Sequence, residues 1–153
     1  TDLFQMYNET QSVIGVYEET LEQVIHYGTV AGGWVDDATL QLDRIMEKPT
    51  IDDAKLYMKV ERNGRKTYYC VNGIYVLRPG IFDILRKQAA ETQSGEIQLT
   101  SALEAQRAEE GMKGLVVGGV QYDTGRPSVY AETVWKFANY INEEQSLEIE
   151  KNY

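Results

Sequence analysis

Cysteine and histidine are almost missing from this chain of 153 residues, which contains one of each, Cys70 and His26. A single cysteine cannot form a disulfide within the chain, and the two residues together cannot make an ordinary zinc site. His26 lies in a polar stretch with no sequence partner for a nucleophilic triad, so we expect it at the surface. Cys70 lies within a strand pattern, where we expect a small buried apolar residue.

Positive charge is scarce as well. Lysine and arginine number 15 against 24 aspartates and glutamates, which gives a formal net charge of −9. Nucleic acids and anionic membranes both attract basic surfaces, so we expect neither as a partner. No apolar run approaches the ~20 residues of a membrane-spanning helix, and no charged-then-apolar leader opens the chain. These absences predict an acidic, soluble, cytoplasmic protein.

The hydrophobic pattern predicts strands that alternate with helices, which is typical of an α/β fold. We expect strands over 12–17, 39–46, 66–77 and 115–122, and helices over 2–9, 51–60, 97–110 and 127–140, with another helix after Pro79. Ala31-Gly-Gly33 is interpreted as a hairpin turn and Asn63-Gly64 as a second turn. Ile97, Leu99, Ala102 and Leu103 are expected on the buried side of their helix. The chain opens on a helix and not on a strand, which favours the later part of a longer domain.

Familiar phosphate-binding motifs are missing, since no G-x-G-x-x-G precedes a helix and no G-x-x-x-x-G-K-[ST] occurs. Charge or glycine does occur at predicted strand ends, in Met46–Pro49, Val71–Leu77, Ser94–Thr100 and Gln121–Gly125. Ligands of open α/β sheets bind beyond the carboxyl ends of strands, where Glu47, Lys48 and Asp123 fall in this interpretation. Each segment alone is more simply explained as a turn or a solvated loop.

Together and in this order, the segments resemble the C-terminal half of the sugar-nucleotide pyrophosphorylases, most closely the bacterial UTP–glucose-1-phosphate uridylyltransferases. Met46-Glu-Lys-Pro is similar to the family's Val-Glu-Lys-Pro, and Asn72-Gly-Ile-Tyr-Val-Leu to its Gly-Arg-Tyr-Val-Leu. Gly95-Glu-Ile-Gln-Leu-Thr matches a family segment, and Tyr122-Asp-Thr-Gly is similar to Tyr-Asp-Cys-Gly. The resemblance implies a Rossmann-like α/β fold, with a mixed sheet and helices packed on it. Residues 1–142 would form its sugar-phosphate-binding half and residues 143–153 an acidic, frayed tail.

The resemblance also implies a reaction. The family joins a sugar 1-phosphate to a nucleoside triphosphate and releases pyrophosphate, here from glucose 1-phosphate and UTP with Mg²⁺ as cofactor. The resemblance assigns Asp123 as the metal ligand, Lys48 to the sugar phosphate, and Glu47 and Glu96 to the hexose hydroxyls. Gly73 would let the backbone approach the sugar. The half that binds UTP is missing from this chain, so we expect the chain alone to be inactive.

Three positions depart from the family pattern. Ile74 stands where the family has an arginine, Ser101 where it has an aspartate, and Arg126 where an acidic residue is common. The connection before Asn72 is also longer than the family's short loop. These departures favour an alternative, a non-catalytic oligomerisation or ligand-sensing module. A third reading is an enzyme of the same family that uses another nucleotide or sugar. A partial sheet would expose an edge strand, so we expect a homo-oligomer.

Overall fold

The structure is a computed structural model that describes residues 2–7, 10–91, 96–119 and 127–151. It divides into two compact units, residues 1–118 and residues 119–153. The strands described in the first unit are β1 (Ser12–Glu19), β2 (Gly28–Trp34), β3 (Thr39–Glu47), β4 (Val60–Arg62), β5 (Arg65–Val76) and β6 (Met112–Val116). Its helices are α1 (Asp2–Met6), α2 (Ile51–Tyr57), α3 (Ile81–Glu91) and α4 (Leu99–Glu110), with a 3-10 turn over Val24–His26.

The second unit is described by one helix, α5 (Pro127–Lys151). The helix continues past its predicted end at Tyr140, and the boundary expected between a domain and a tail at residue 142 stays a prediction. In the described part of the chain, no helix is both long enough and apolar enough to cross a bilayer.

The six strands form one mixed sheet in the order β1-β6-β3-β2-β5-β4, and β1 also pairs with β5. β1 and β6 are parallel, whereas the other pairs are antiparallel. Pairing therefore runs in a ring through β1, β6, β3, β2 and β5, and among the described strands only the three-residue β4 has a single neighbour. The ring gives each longer strand two neighbours over part of its length, although beyond Gln41 β3 pairs with β2 alone among the described strands. The homo-oligomer expected from an exposed strand edge stays a prediction.

Apolar side chains lie on both faces of the sheet, since successive strand residues point in opposite directions. Val30 and Tyr69 belong to a cluster with residues of α3 and α4, whereas the next residues, Ala31 and Cys70, belong to a cluster with Ala54 of α2. Helices therefore contribute to the core on both faces, and the predicted α/β class with a mixed sheet is confirmed.

The two glycines of Ala31-Gly-Gly33 lie inside β2, so the predicted hairpin turn is wrong. β2 runs unbroken beside β3, with a shift of register between Ala31 and Gly32. A Cβ atom added at Gly32 would lie 2.1 Å from the backbone oxygen of Gln41 in β3. Glycine is required here by the close approach of two strands at an irregularity in their pairing, and not by a turn.

The predicted turn at Asn63-Gly64 is confirmed and joins β4 to β5. Asn63 has a φ of 51° and Gly64 a φ of 78°, the positive pair that a tight two-residue hairpin requires. Thr50 begins α2 as a helix cap, since its hydroxyl accepts a hydrogen bond from the Asp53 N–H at 3.1 Å. α2 is shorter than predicted, because its chain turns at Met58 and enters β4 at Val60.

Helix α4 begins two residues later than predicted, and only part of its predicted buried side is buried. Ile97 and Leu99 are 40% and 37% exposed, so their predicted burial is wrong. Ala102 and Leu103 are buried as predicted, together with Gln106. Gln106 lies in the core because its amide is paired: Ser12 Oγ donates to its Oε1 at 3.0 Å, and its Nε2 donates to a backbone oxygen at 3.1 Å.

Cys70 is fully buried, as predicted, and its Sγ lies 3.7 Å from Thr29 Oγ1. His26 is exposed, also as predicted. Burial raises the pKa of the Cys70 thiol from 9.0 to about 12, because the thiolate would lose its hydration. The folded protein therefore keeps a proton that the unfolded chain releases above pH 9.

This difference predicts a loss of stability at alkaline pH. The contribution of Cys70 to the free energy of unfolding is intact below pH 9 and falls as the pH rises towards 12, by about 2 kcal/mol at pH 10.5. Urea unfolding at pH 8 and pH 10.5 measures the loss. Cys70→Ala is the control, since it retains the tyrosines that also titrate in this range. Equal losses in the two proteins would contradict the assignment to Cys70.

Candidate active site

Two of the predicted site residues, Glu47 and Lys48, lie at the carboxyl end of β3. Glu47 is the last residue of the strand, where it pairs with Gly28 of β2. Lys48 follows in a left-handed conformation with a φ of 41°, although it is neither glycine nor asparagine. Non-glycine residues in this conformation are uncommon, and they cluster at binding and catalytic sites.

The backbone turn at Lys48 is held by a hydrogen bond from its N–H to the Tyr27 oxygen at 3.2 Å. The side chain of Lys48 is 59% exposed, and its Nζ lies 3.7 Å from Glu47 Oε1. An exposed ion pair at this distance contributes little to stability. The cation of Lys48 therefore remains accessible to a bound anion.

The carboxylate of Glu47 is held from its other side by helix α4. Thr100 Oγ1 donates to Glu47 Oε2 at 2.5 Å, and Thr100 lies in the first turn of α4, where the helix dipole favours a negative charge. A Cβ atom added at Gly28 would lie 3.2 Å from Thr100 Oγ1 and 3.3 Å from Glu47 Oε2. The absence of a side chain at Gly28 therefore leaves room for this contact.

A cleft of about 400 Å³ opens beside Glu47, a volume typical of sites for small molecules. Its walls come from the end of β3, the last turns of α3 and the start of α4. The lining residues are Glu47, Gln88, Glu91, Glu96, Ile97, Gln98 and Ser101. The structure thus brings together Glu47 and Glu96, the two residues that the sequence resemblance assigns to hexose hydroxyls.

The lining of this cleft is rich in hydrogen-bond acceptors. Three carboxylates and two side-chain amides face it, and the described lining residues include no cation. Carboxylates only accept hydrogen bonds when ionised, so they suit a ligand that carries several hydroxyl groups. An anionic group of the same ligand would be repelled by the lining and attracted to Lys48, which adjoins Glu47 at the end of β3.

Sequence reasoning missed several residues of the cleft. Gln88 and Glu91 lie three residues apart on α3, a pattern that is the same as that of any solvated helix surface. Ser101 departs from the family pattern, and its Oγ lies 2.7 Å from the Gln98 backbone oxygen and 3.3 Å from Gln88 Oε1, so its one hydroxyl proton can be donated to either wall of the cleft. Thr100 belonged to a quoted motif, but its contact with Glu47 joins positions 53 residues apart and has no local signal.

Gly73 lies in a bulge of β5. The pairing of β1 with β5 shifts between Ile14 and Val16, so the single residue Gly15 faces the three residues 72–74. Gly73 has a φ of 83°, and a Cβ atom added to it would meet no atom within 4 Å. The backbone conformation therefore requires glycine, while the space above it is open.

Tyr75 follows the bulge by two residues. Burial, and to a smaller extent the carboxylate of Glu47, raise the pKa of its hydroxyl. The structure shows no direct contact between Gly73 and the cleft, so its role in sugar binding stays a prediction.

Asp123, the predicted metal ligand, lies outside the described residues, and its position relative to Lys48 stays a prediction. In the described ranges, no group of three or more His, Cys, Asp or Glu side chains could hold a metal ion. Mg²⁺ is commonly bound by one or two carboxylates together with substrate phosphates. The assignment of Mg²⁺ to Asp123 therefore stays a prediction.

Comparison with known sequences gives a consistent family. Residues 2–140 match the family model described as nucleotidyl transferase. The chain is 30% identical over 137 residues to UTP–glucose-1-phosphate uridylyltransferase 1 of Staphylococcus saprophyticus, and 27% identical over 131 residues to the UTP–glucose-1-phosphate uridylyltransferase of Pseudomonas aeruginosa. The alignments cover 89% and 85% of this chain but 44% and 43% of the relatives. The chain therefore spans less than half the length of these relatives.

Solved structures have the same fold. A UDP-glucose pyrophosphorylase complexed with UDP-glucose is 29% identical, with a TM-score of 0.71, over 91% of this chain and 47% of that one. The UTP-bound enzyme from Acinetobacter baumannii has a TM-score of 0.64 at 22% identity, over 88% of this chain and 42% of that one, and shares the fold. The predicted nucleotidyltransferase fold is confirmed by these likenesses. Since the family model matches most of its residues, this chain belongs to the nucleotidyl transferase family.

Proposed function

We propose that this chain is the sugar-phosphate-binding part of an enzyme that makes UDP-glucose and pyrophosphate from UTP and glucose 1-phosphate. The observation that supports it most is the cleft in which Glu47 and Glu96 lie together, with Lys48 beside them. The relatives carry the name of this activity, and one similar structure is complexed with UDP-glucose. UTP would be bound by a further half, N-terminal to this one, without which the chain is inactive.

Each residue of the site has a defined task in this proposal. Glu47 and Glu96 accept hydrogen bonds from hexose hydroxyls, and an epimer that misplaces a hydroxyl leaves a carboxylate unpaired. Thr100 holds Glu47 in the orientation that the sugar requires. Lys48 pairs with the sugar phosphate as a point charge, which brings this anion towards a second polyanion at a lower electrostatic cost.

The reaction itself needs no covalent intermediate on the protein. An oxygen of the sugar phosphate attacks the α-phosphorus of UTP in line, and the bond from that phosphorus to the β-phosphate oxygen breaks to release pyrophosphate. Positioning and charge neutralisation are therefore the main contributions of the protein. When bound at Asp123, Mg²⁺ would neutralise phosphate charge during this step.

A non-catalytic module is the second candidate, and the surface offers some support for it. Ile74 replaces the family arginine and is 50% exposed. Phe4, Leu56 and Phe82 are large apolar side chains that are 60% to 75% exposed, which favours association between copies of the chain. A homo-oligomer is therefore also proposed, for either function. A cytoplasmic location is proposed separately, on the acidic composition of the chain.

The titration of glucose 1-phosphate into the chain by calorimetry, with Mg²⁺ present, tests the proposed function. We expect saturable binding, and a dissociation constant 10- to 100-fold higher in Lys48→Ala, since a hydrogen bond to a charged group contributes about 1.5–3 kcal/mol. Lys59→Ala is the matched control, because Lys59 is an exposed lysine away from the cleft. Absence of binding at millimolar ligand would contradict the proposal and favour the non-catalytic module.

A further inference from the structure

Helix α4 is joined to strand β3 by two polar contacts, of which one belongs to the site. The first is the hydrogen bond from Thr100 Oγ1 to Glu47 Oε2 at 2.5 Å. The second lies further from the cleft, where the backbone N–H of Ile45 donates to Glu104 Oε2 at 2.7 Å. At Ile45, a helix carboxylate thus supplies the hydrogen-bond acceptor that a neighbouring strand would otherwise provide.

The two contacts have matching spacings along the two elements. Thr100 and Glu104 are four residues apart on α4, which is a rise of about 6 Å on one face of a helix. Glu47 and Ile45 are two residues apart on β3, which is a rise of about 6.6 Å on one side of a strand. Helix α4 and strand β3 therefore run in opposite directions, and the two contacts follow each other along both elements. A shift of α4 along β3 that changes one contact also changes the other.

The N–H of Ile45 is available because β3 loses a neighbour along its length. β6 pairs with β3 only at Thr39–Gln41, whereas β2 continues to pair with it as far as Glu47. Beyond Gln41 the side of β3 that faced β6 needs another hydrogen-bond acceptor, since an unpaired N–H beside a packed helix is costly. Glu104 is the acceptor at Ile45.

The carboxylate of Glu104 is itself held rigidly. Arg107 donates from Nε to Glu104 Oε2 at 2.8 Å and from Nη2 to Glu104 Oε1 at 2.9 Å. A guanidinium that binds both oxygens fixes the plane of the carboxylate as well as its distance. Both residues are partly buried, so the pair is less screened than one at the surface.

We infer that Glu104 is a positioning residue. Its carboxylate, held by Arg107, binds the backbone N–H of Ile45 and so fixes the position of α4 along β3. In this position, Thr100 can orient the carboxylate of Glu47. Its effect on a sugar phosphate rests on the proposed function, but its effect on the contact between Thr100 and Glu47 does not. Glu104 does not line the cleft, and it acts on the site through α4.

Nuclear magnetic resonance on three variants of the chain tests the inference. Glu104→Ala removes the acceptor, Glu104→Gln keeps a side-chain oxygen for Ile45, and Glu109→Ala removes an exposed glutamate of the same helix as control. In the unsubstituted chain we expect slow exchange of the Ile45 amide proton and of the Thr100 hydroxyl proton, because both are donated in hydrogen bonds. We expect Glu104→Ala to speed the exchange of both. The affinity for glucose 1-phosphate should fall about tenfold, as misplacement of a binding group implies. Glu104→Gln should restore these properties only in part, because its amide oxygen can accept from Ile45 but the side chain cannot bind Arg107 through two oxygens.

A double-mutant cycle separates positioning from a general loss of stability. If Glu104 acts through Thr100, adding Glu104→Ala to Thr100→Val weakens glucose 1-phosphate binding no further, whereas independent effects would add. A Thr100 hydroxyl signal and an affinity that are unchanged in Glu104→Ala would overturn the inference.

Two further results are also decisive. If the unsubstituted chain binds no glucose 1-phosphate, the proposed function fails, and the hydroxyl signal of Thr100 alone decides the positioning role. If Glu104→Ala does not fold, Arg107→Gln replaces it, since this change frees the carboxylate and keeps the acceptor. A Thr100 hydroxyl that exchanges as slowly in Arg107→Gln as in the unsubstituted chain would then count against the inference.

Discussion

Gly32→Ala is expected to lower the free energy of unfolding by about 3 kcal/mol, the largest change in stability that we predict for a single methyl group. The added Cβ would lie 2.1 Å from the backbone oxygen of Gln41 and 2.9 Å from the Cα of Leu42. Backbone atoms cannot rotate away as the end of a side chain can. β2 and β3 would therefore have to separate at the place where their register shifts, and hydrogen bonds on either side would weaken.

Gly33→Ala is the matched control for this experiment. A Cβ atom at Gly33 meets nothing within 4 Å, so the same change one residue later should alter the free energy of unfolding by less than about 1 kcal/mol. Urea denaturation followed by circular dichroism measures both variants. Equal effects of the two substitutions would show that the close approach at Gly32 is not the reason for glycine there.

These two glycines also show why part of the fold could not be predicted from the sequence. A glycine pair between apolar residues fits a hairpin turn and an irregular strand equally well. Which of the two structures forms depends on how closely β3 approaches β2, and the sequence of β2 carries no information on that distance. The Asn63-Gly64 turn was predictable, because both residues tolerate positive φ and the flanking residues alternate within a short range.

The buried side of α4 could be predicted only in part, for a related reason: the burial of Ala102 and Leu103 is confirmed, whereas that of Ile97 and Leu99 is not. Ile97 and Leu99 are more hydrophobic than Gln106, so a pattern of apolar residues selects them for the core. Gln106 is nevertheless fully buried, because Ser12 and the backbone of Arg78 satisfy its amide. Partners 94 and 28 residues away in the chain cannot be recognised from the helix sequence alone.

The site residues follow mainly from the family resemblance, and their roles stay predictions. The structure shows that Glu47 and Glu96, which the resemblance assigns to hexose hydroxyls, line one cleft. Glu104 could not be predicted as a site residue, because its proposed role depends on a hydrogen bond with the backbone N–H of Ile45 in another element. Residues that touch a ligand can be recognised by type in a family motif, whereas residues that position them are defined by contacts within the fold.

Gly73→Ala is expected to abolish most of the binding of glucose 1-phosphate, with an increase in the dissociation constant of about 100-fold. The family resemblance predicts that the sugar lies against the backbone of Gly73, where no protein atom lies within 4 Å of an added Cβ. The methyl group would occupy the space left for the ligand. The same substitution also forces alanine to a φ of 83°, which should lower the free energy of unfolding by about 1–2 kcal/mol.

Gly64→Ala separates the two effects. Gly64 has a φ of 78° and equally open surroundings, but it lies in the turn between β4 and β5, away from the proposed site. Both variants should lose similar stability in urea denaturation, since the strain at positive φ is the same. Calorimetric titration of glucose 1-phosphate should then show a loss of affinity in Gly73→Ala alone. If Gly73→Ala binds as tightly as Gly64→Ala, the backbone at Gly73 does not contact the sugar, and its glycine serves the bulge of β5 only.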